Sequence, residues 1–437
     1  MTKRCLLIAD GFPPAASSGV YRLAAMARLL PEHGWEVHVL APGDGGDSDY
    51  AQWGLPPDYA DHVTHVPWCA PQISPKLKAQ VRQADRASLK KRLLSPVLRA
   101  TKRLANLVFF PDAGGFSRWV GPASRRGLDL CRALEPHVIY ASAPSYSVCT
   151  VAQRLHRQTG IPWVCELRDP FYRTEMLHAM PTAWHRRQAF RMEDSWLTEC
   201  AAAVVTTDTY REQLTRDHPS APAEALSVVY NGFEKLREGD DAKAVLRDGF
   251  RITYCGVIDP FRDPRPLFQA VRALADEDAS FARAVRLEFV GTCKVDVLTI
   301  AAETGVRELV ETRGQVPYGA SVDAMRQADL LLNINYYVRG GTLEIPAKTF
   351  DYIAAGVPIL MLSNPCECAD IVTRSGMGVI VPPTDVAQIK TALKRLWECK
   401  RDGRPTGLAI DREYVLQFHR PAQVKQIAEI LDSVVAR

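Results

Sequence analysis

The feature that most constrains this chain is a repeated alternation of short apolar segments with stretches of helical period. Cys5-Leu6-Leu7-Ile8-Ala9 reads as a buried strand, stopped by the turn-rich run Asp10-Gly11-Phe12-Pro13-Pro14. Val20, Leu23, Ala24, Ala27 and Leu30 then fall on one face of a helix. Gly34 closes it, and residues 36–40 form a second strand. Strand, loop, helix and strand in this order make a βαβ unit, with a right-handed crossover and a parallel sheet. The same pattern predicts strands at 138–142, 163–167, 203–206, 252–255, 287–291, 329–334, 358–362 and 378–381. The 329–334 segment carries nothing polar in its middle, as expected of a strand covered by helices on both faces.

These units fall into two series, which meet near Val228-Val229-Tyr230-Asn231-Gly232-Phe233, before the charged stretch 234–243. A length of 437 residues accommodates two or three domains. With 47% apolar and 24% charged residues, the chain is neither disordered nor collagen-like. A net charge of +4 does not by itself suggest a nucleic-acid partner. None of the eleven cysteines forms a CxxC pair, which leaves zinc ribbon and thioredoxin readings without support. Most lie in apolar runs, where a reduced thiol packs as a small hydrophobe, and this fits a reducing cytosol. Cys366-Glu367-Cys368 reads as a loop feature. The first residues lack the apolar core of a signal peptide, and no run approaches the length of a membrane span.

One segment breaks the pattern. Residues 76–103 hold ten Lys and Arg and one acid, a net of +9 that leaves −5 for the rest of the chain. Leu89, Leu93, Val97, Ala100, Leu104 and Val108 form an apolar stripe beneath this charge. Two readings stand: a surface for an anionic membrane, or a solvated helix whose stripe faces the core.

In doubly wound sheets ligands bind beyond the carboxyl ends of the strands, so the loops there carry the chemistry. Four stand out. Residues 11–19 are small and precede a helix N-terminus, a setting for phosphate or simply a turn with its cap. Glu166-Leu167-Arg168-Asp169 sets a cation and an acid at a strand end, for a ligand or to fix the loop. Residues 256–265 place Arg262 and Arg265 after a strand, as a diphosphate clamp or as exposed charge. Residues 340–358 combine glycines, Glu344, Lys348 and a short helix carrying Asp351. There is no GxGxxG and no Walker A sequence, and no DxD-like acidic pair is placed to hold a metal, so the sequence predicts no cofactor and no catalytic metal.

Taken in order, these segments resemble glycosyltransferases of the GT-B fold, in the retaining group called family 4, over nearly the whole chain. GFPPAASSG resembles the family's opening loop. VIYASAPSYS and IPWVCELRDPFY resemble a subset that builds bacterial surface polysaccharides. YCGVIDPFRDPRPLFQAV, GQVPYGASVDAMRQADLLLNI and PAKTFDYIAAGVPIL resemble the nucleotide-sugar site, and QFHRPAQVKQIAEIL the final helix. The resemblance implies an α/β architecture of two Rossmann-like doubly wound parallel-sheet domains facing a central cleft, with a C-terminal helix crossing back to the N-terminal domain. Residues 1–232 would bind the acceptor, 233–415 the nucleotide sugar, and 416–437 would form the crossover helix.

It also implies roles for particular residues. Ser18, Gly19 and Gly256 would approach the donor diphosphate. Arg262 falls where the family has a phosphate-binding Lys, while Val257 replaces the family's Arg beside the glycine. Gly314 and Val316 would offer backbone groups to the base. Asp351 matches the second acid of the E-x7-E motif; the first position is Leu343, with Glu344 one residue off. Lys348 would contact phosphate or sugar. Asp169 would position the acceptor or the sugar, or act as general base if the reaction inverts, so Asp169, Arg262 and Lys348 form the implied catalytic set. The implied partners are a nucleotide-diphosphate sugar as donor substrate and a sugar or lipid-linked glycan as acceptor. An anionic membrane surface is a further candidate, and nucleic acid is not among them. The implied location is cytoplasmic, at the inner face of the membrane if the acceptor is a lipid. A nucleotide-sugar epimerase and a catalytically silent GT-B binding protein are the alternatives.

Overall fold

The computed structural model describes residues 2–15, 17–44, 49–67, 119–171, 183–222, 225–237, 249–335 and 343–436. The basic stretch 76–103 and its stripe, and Gly340 and Gly341, lie outside them. The chain divides into two compact units, one of Met1–Val229 with Val424–Arg437 and one of Tyr230–Gln423.

The first unit holds a seven-stranded sheet in the order β3-β2-β1-β4-β5-β6-β7, with every pairing parallel. Its strands are β1 Lys3–Ala9, β2 Trp35–Pro42, β3 Val63–Val66, β4 Val138–Ala143, β5 Trp163–Leu167, β6 Ala202–Val205 and β7 Leu226–Val228. Helices α1 Ser18–Leu29, α2 Val120–Leu134, α3 Ser147–Thr159, α4 Ala183–Glu199 and α5 Asp208–Asp217 connect them. The central strands are buried along almost their whole length because helices cover both faces. Caps set the helix starts. Ser17 Oγ accepts from Val20 N–H at α1, and Thr207 Oγ1 from Tyr210 N–H at α5.

The second unit has a six-stranded parallel sheet in the order β10-β9-β8-β11-β12-β13. Its strands are β8 Phe250–Cys255, β9 Val285–Val290, β10 Val310–Gly314, β11 Leu330–Ile334, β12 Ile359–Leu362 and β13 Gly378–Val381. Its helices are α6 Arg265–Glu277, α7 Ala279–Ala284, α8 Val297–Glu303, α9 Tyr318–Gln327, α10 Lys348–Ala355, α11 Glu367–Arg374, α12 Val386–Arg401 and α13 Arg412–Leu416. Strand alternation explains the two cores. Leu330, Leu332, Ile334, Leu360 and Leu362 point to one; Leu331, Ile359 and Met361 point to the other. Cys366-Glu367-Cys368 is not a loop: Cys366 is the N-cap of α11, and the other two open the helix.

The last helix, α14 Arg420–Val435, contributes Val424, Ile427, Ala428, Leu431 and Val434 to the core of the first unit. Their spacing is one helical stripe, and each large aliphatic side chain so buried contributes about 1.5–3 kcal/mol. Within the second unit, the two ends of the segment are tied together. Phe233 N–H donates to the Phe418 carbonyl, Arg420 N–H to that of Phe233, and Gln423 Nε2 to that of Tyr230.

A buried ionic cluster joins α4 to the end of α5. His218 Nε2 meets Glu193 Oε2 at 2.9 Å and its Nδ1 meets Asp194 Oδ1 at 3.0 Å, with the Phe190 ring stacked on it. Burial alone would lower the imidazole pKa, but hydrogen bonds and charge from the two acids raise it above 6.5. An imidazolium with a raised folded-state pKa stabilises fully below about 6.5, and that contribution fades as pH rises through the raised value. His218→Leu should therefore cost about 3–5 kcal/mol at pH 6, because Glu193 is left buried without its partner. The alkaline decline in melting temperature that this imidazolium causes should shrink in the variant; an identical pH profile of melting temperature would dismiss the assignment.

Candidate functional site

In the first unit the strand ends gather acids around Arg168. β5 delivers Glu166, fully buried, whose Oε1 receives the Arg22 guanidinium from α1 at 2.7–2.8 Å and whose Oε2 accepts from Ser142 of β4. Burial would raise this carboxyl, but Arg22 and Arg168 hold it below the usual range. Just past the strand, Arg168 Nε donates to the Ala143 carbonyl at 2.9 Å and Nη2 to that of Pro144 at 3.1 Å. Nη2 also lies 3.7 Å from Asp10 Oδ1, at the end of β1. Asp10 is pushed up to about 6 by burial, against the pull of Arg168. Asp169 follows Arg168; burial raises its carboxyl too, and its backbone carbonyl accepts from Tyr146 Oη at 2.9 Å.

The first loop packs against Arg168. A Cβ on Gly19 would lie 2.0 Å from Arg168 Nη1. The bare face of this glycine is filled by a guanidinium of the same unit. Ser18 is the first residue of α1. The cation of the Arg168-Asp169 pair is aimed at Asp10 and at two carbonyls, a partner set that spacing along the chain does not disclose.

In the second unit the site forms at the carboxyl end of β8. Tyr352 Oη, from α10, accepts the Cys255 N–H at 2.7 Å and so fixes α10 against the strand end. Gly256 follows with φ of 130°, a conformation open to glycine, and its carbonyl lies 2.2 Å from where a Cβ on Gly291 would stand. Lys348, the first residue of α10, extends along Gly256. Part of its stem is exposed, but Nζ is buried, makes no hydrogen bond, and sits 3.6 Å from the centroid of the Tyr254 ring. Burial first, and Arg262 second, depress its pKa well below 10.5. Arg262 is 8% exposed, and its Nη1 donates to Asp259 Oδ2 at 2.7 Å. Two cations thus share this corner, with Asp259 bonded to one of them. The position of the missing family Arg is filled by Val257, 39% exposed.

Asp351 lies one turn along α10 from Lys348 and faces another way. Its Oδ1 accepts from Tyr318 Oη of α9 at 2.8 Å, and burial raises it to about 6. It lines a pocket of about 300 Å³ with Phe233, Glu234, Tyr318, Asp323 and Arg326. Gly314 ends β10, and its carbonyl accepts from Gly291 N–H at 2.8 Å; Val316 packs partly buried beside the core. Glu344 is half-buried on the segment leading into α10. The structure therefore groups Gly256, Arg262 and Lys348 and sets Asp351 in an adjoining pocket. Sequence reasoning missed Tyr254, Asp259 and Tyr318. Only the placing of Asp259 beside a predicted strand end signals it; Tyr318 follows β10, a strand the sequence pattern does not reveal, and Tyr254 is hidden inside a strand.

Two parallel-sheet α/β units with ligand-type loops at the strand ends define a GT-B architecture. Residues 19–232 match the glycosyl transferase 4-like domain and residues 249–399 the glycosyl transferases group 1. The chain belongs to the family 4-like glycosyltransferases of the GT-B fold. A D-inositol 3-phosphate glycosyltransferase of Streptomyces bingchenggensis is 25% identical over 209 residues, and the matched region spans 44% of each chain, under half the length of that relative. Among solved structures, Anabaena HepE, in complex with UDP and glucose, is similar with a TM-score of 0.60 and 15% identity, over 98% of this chain and 99% of that one. Sucrose-phosphate synthase from Thermosynechococcus elongatus has a TM-score of 0.63 and 16% identity, over 99% of both chains.

The Gly19–Arg168 contact is open to a double-mutant cycle. Gly19→Ala should destabilise the protein by about 1–3 kcal/mol through overpacking. The penalty should largely vanish in an Arg168→Ala background, read by denaturant unfolding; equal penalties in both backgrounds would mean that the two residues do not meet.

Proposed function

We propose that the chain moves a hexose from a nucleotide-diphosphate sugar to an acceptor hydroxyl, with retention, in the building of a bacterial glycan or polysaccharide. The carrying observation is the buried positive charge at the end of β8, where Lys348 Nζ has no hydrogen-bond partner and Arg262 lies beside it. Such a corner favours an incoming anion with dispersed charge. A nucleoside diphosphate leaving an anomeric carbon is such an anion, and cations held in place beforehand stabilise the charge that develops on it. The bond from the anomeric carbon to the β-phosphate oxygen breaks, and the acceptor oxygen bonds to that carbon on the same face. The acceptor proton passes to the departing phosphate. The two cations supply the charge neutralisation, so this reading gives the donor as substrate and calls on no catalytic metal.

In the same reading the Asp351 pocket receives ribose, Gly314 and Val316 serve the base, and Glu344 faces the sugar. The first unit binds the acceptor, with Asp169 positioning its hydroxyl. Membership of the family and the glycosyltransferase name of the Streptomyces relative support transfer; the UDP and glucose bound to HepE support the donor class. Among the described residues no helix is long and apolar enough to cross a membrane. The composition of residues 76–103 supports a lipid-linked acceptor at the cytoplasmic face.

Two outcomes follow. UDP binding should raise the pKa of Lys348, because an anion offsets the depression that burial causes. Calorimetry should show affinity for UDP weakening as pH rises, and that alkaline weakening should be lost in Lys348→Met; a pH dependence unchanged in that variant would take Lys348 out of the diphosphate site. In a turnover assay against a panel of nucleotide sugars, Arg262→Ala should lower kcat/KM about 30-fold, near 2 kcal/mol. Unchanged kcat/KM would remove Arg262 from the chemistry.

A further inference from the structure

Away from the strand ends that hold the proposed chemistry, three donor side chains converge on one face of β2. Alternation along the strand puts Glu36 and His38 on the same side. A 3-10 turn, Pro57–His62, brings His62 over them. Tyr59 anchors this turn: its hydroxyl donates to the Val37 carbonyl at 2.9 Å, and its ring stacks on His62 at 5.2 Å. The His38 and His62 rings lie 4.7 Å apart. His38 Nε2 is 2.9 Å from Glu36 Oε1, and His62 Nδ1 is 3.9 Å from the same oxygen. The three ligand atoms lie within 4.8 Å of one another. His62 Nδ1 is buried, and no hydrogen bond reaches it.

We propose that Glu36, His38 and His62 form a binding site for a divalent transition metal of the zinc class, clipping the 57–62 turn to β2. Two imidazoles and one carboxylate are the ligand set of an open tetrahedral zinc site, with water in the fourth position. Metal–ligand bonds of about 2.0–2.2 Å set ligand atoms roughly 3.3 Å apart, and the observed 2.9 and 3.9 Å bracket that spacing. The imidazoles select against magnesium and calcium, which favour all-oxygen sites. His38 pairs with Leu6, four residues short of Asp10, so the metal lies roughly 13 Å from the ligand-binding end of the sheet. The clip is structural and separate from transfer.

The test uses the full chain after chelator treatment. Zinc chloride should bind near one equivalent by calorimetry and raise the melting temperature, while magnesium chloride at the same concentration does neither. His62→Ala and Glu36→Gln should each weaken zinc binding at least tenfold, with circular dichroism confirming the native fold. Absence of zinc binding to the native chain would overturn the proposal. So would zinc binding unchanged in a His38→Ala/His62→Ala variant, which would place the ion elsewhere, or magnesium binding as tightly as zinc.

Discussion

The arrangement at the end of β8 depends on a lysine ammonium held out of water. Desolvating a cation is costly unless something compensates, and Lys348 finds only partial compensation. The Tyr254 ring face lies 3.6 Å below its Nζ, and Asp259 acts at a distance while bonded to Arg262. The remainder is an unmet demand for negative charge. The fold enforces this position twice: Tyr352 locks α10 to the backbone of Cys255, and the positive φ of Gly256 turns the chain under the Lys348 stem. Stability is spent at one corner so that an anion arriving there meets charge already oriented.

The acids of both units show the opposite logic. Asp10 and Asp351 are each pushed up to about 6 by burial, although Arg168 and the backbone of Ser145 act on Asp10 and Tyr318 donates to Asp351. Glu166 shares the same burial but receives Arg22 and Ser142 directly, and it stays ionised. The difference separates a structural carboxylate, whose neighbours outweigh its burial, from carboxyls whose neighbours do not. Asp169 belongs with the second kind by its raised carboxyl.

Much of the fold was legible because parallel strands buried on both faces are apolar throughout. The ten strands read from the sequence all occur. The three missed, β3, β7 and β10, lie at sheet edges, where exposure erases the apolar run; β10 is exposed at Glu311, Thr312, Arg313 and Gly314. The grouping of Gly256, Arg262 and Lys348 was legible because all three flank predicted elements. The partners of Arg168 were not: Asp10, Ala143 and Pro144 come from two other strand ends, and only the sheet order β1-β4-β5 makes them neighbours.

That sheet order also explains what the glycine of the opening loop packs against. Ser17 caps α1, and the helix start places Gly19 directly under the end of β5, where Arg168 already occupies the space a Cβ would need. A glycine in a loop before a helix has two physical uses, to let a ligand approach the backbone or to let a neighbouring side chain do so. Sequence alone does not separate them, because both require the same missing atom. Here the buried guanidinium, held by two carbonyls and near Asp10, takes the second use. The missing atom thus lets a side chain from the end of β5 pack against the start of α1, tying β5 to the first βαβ unit.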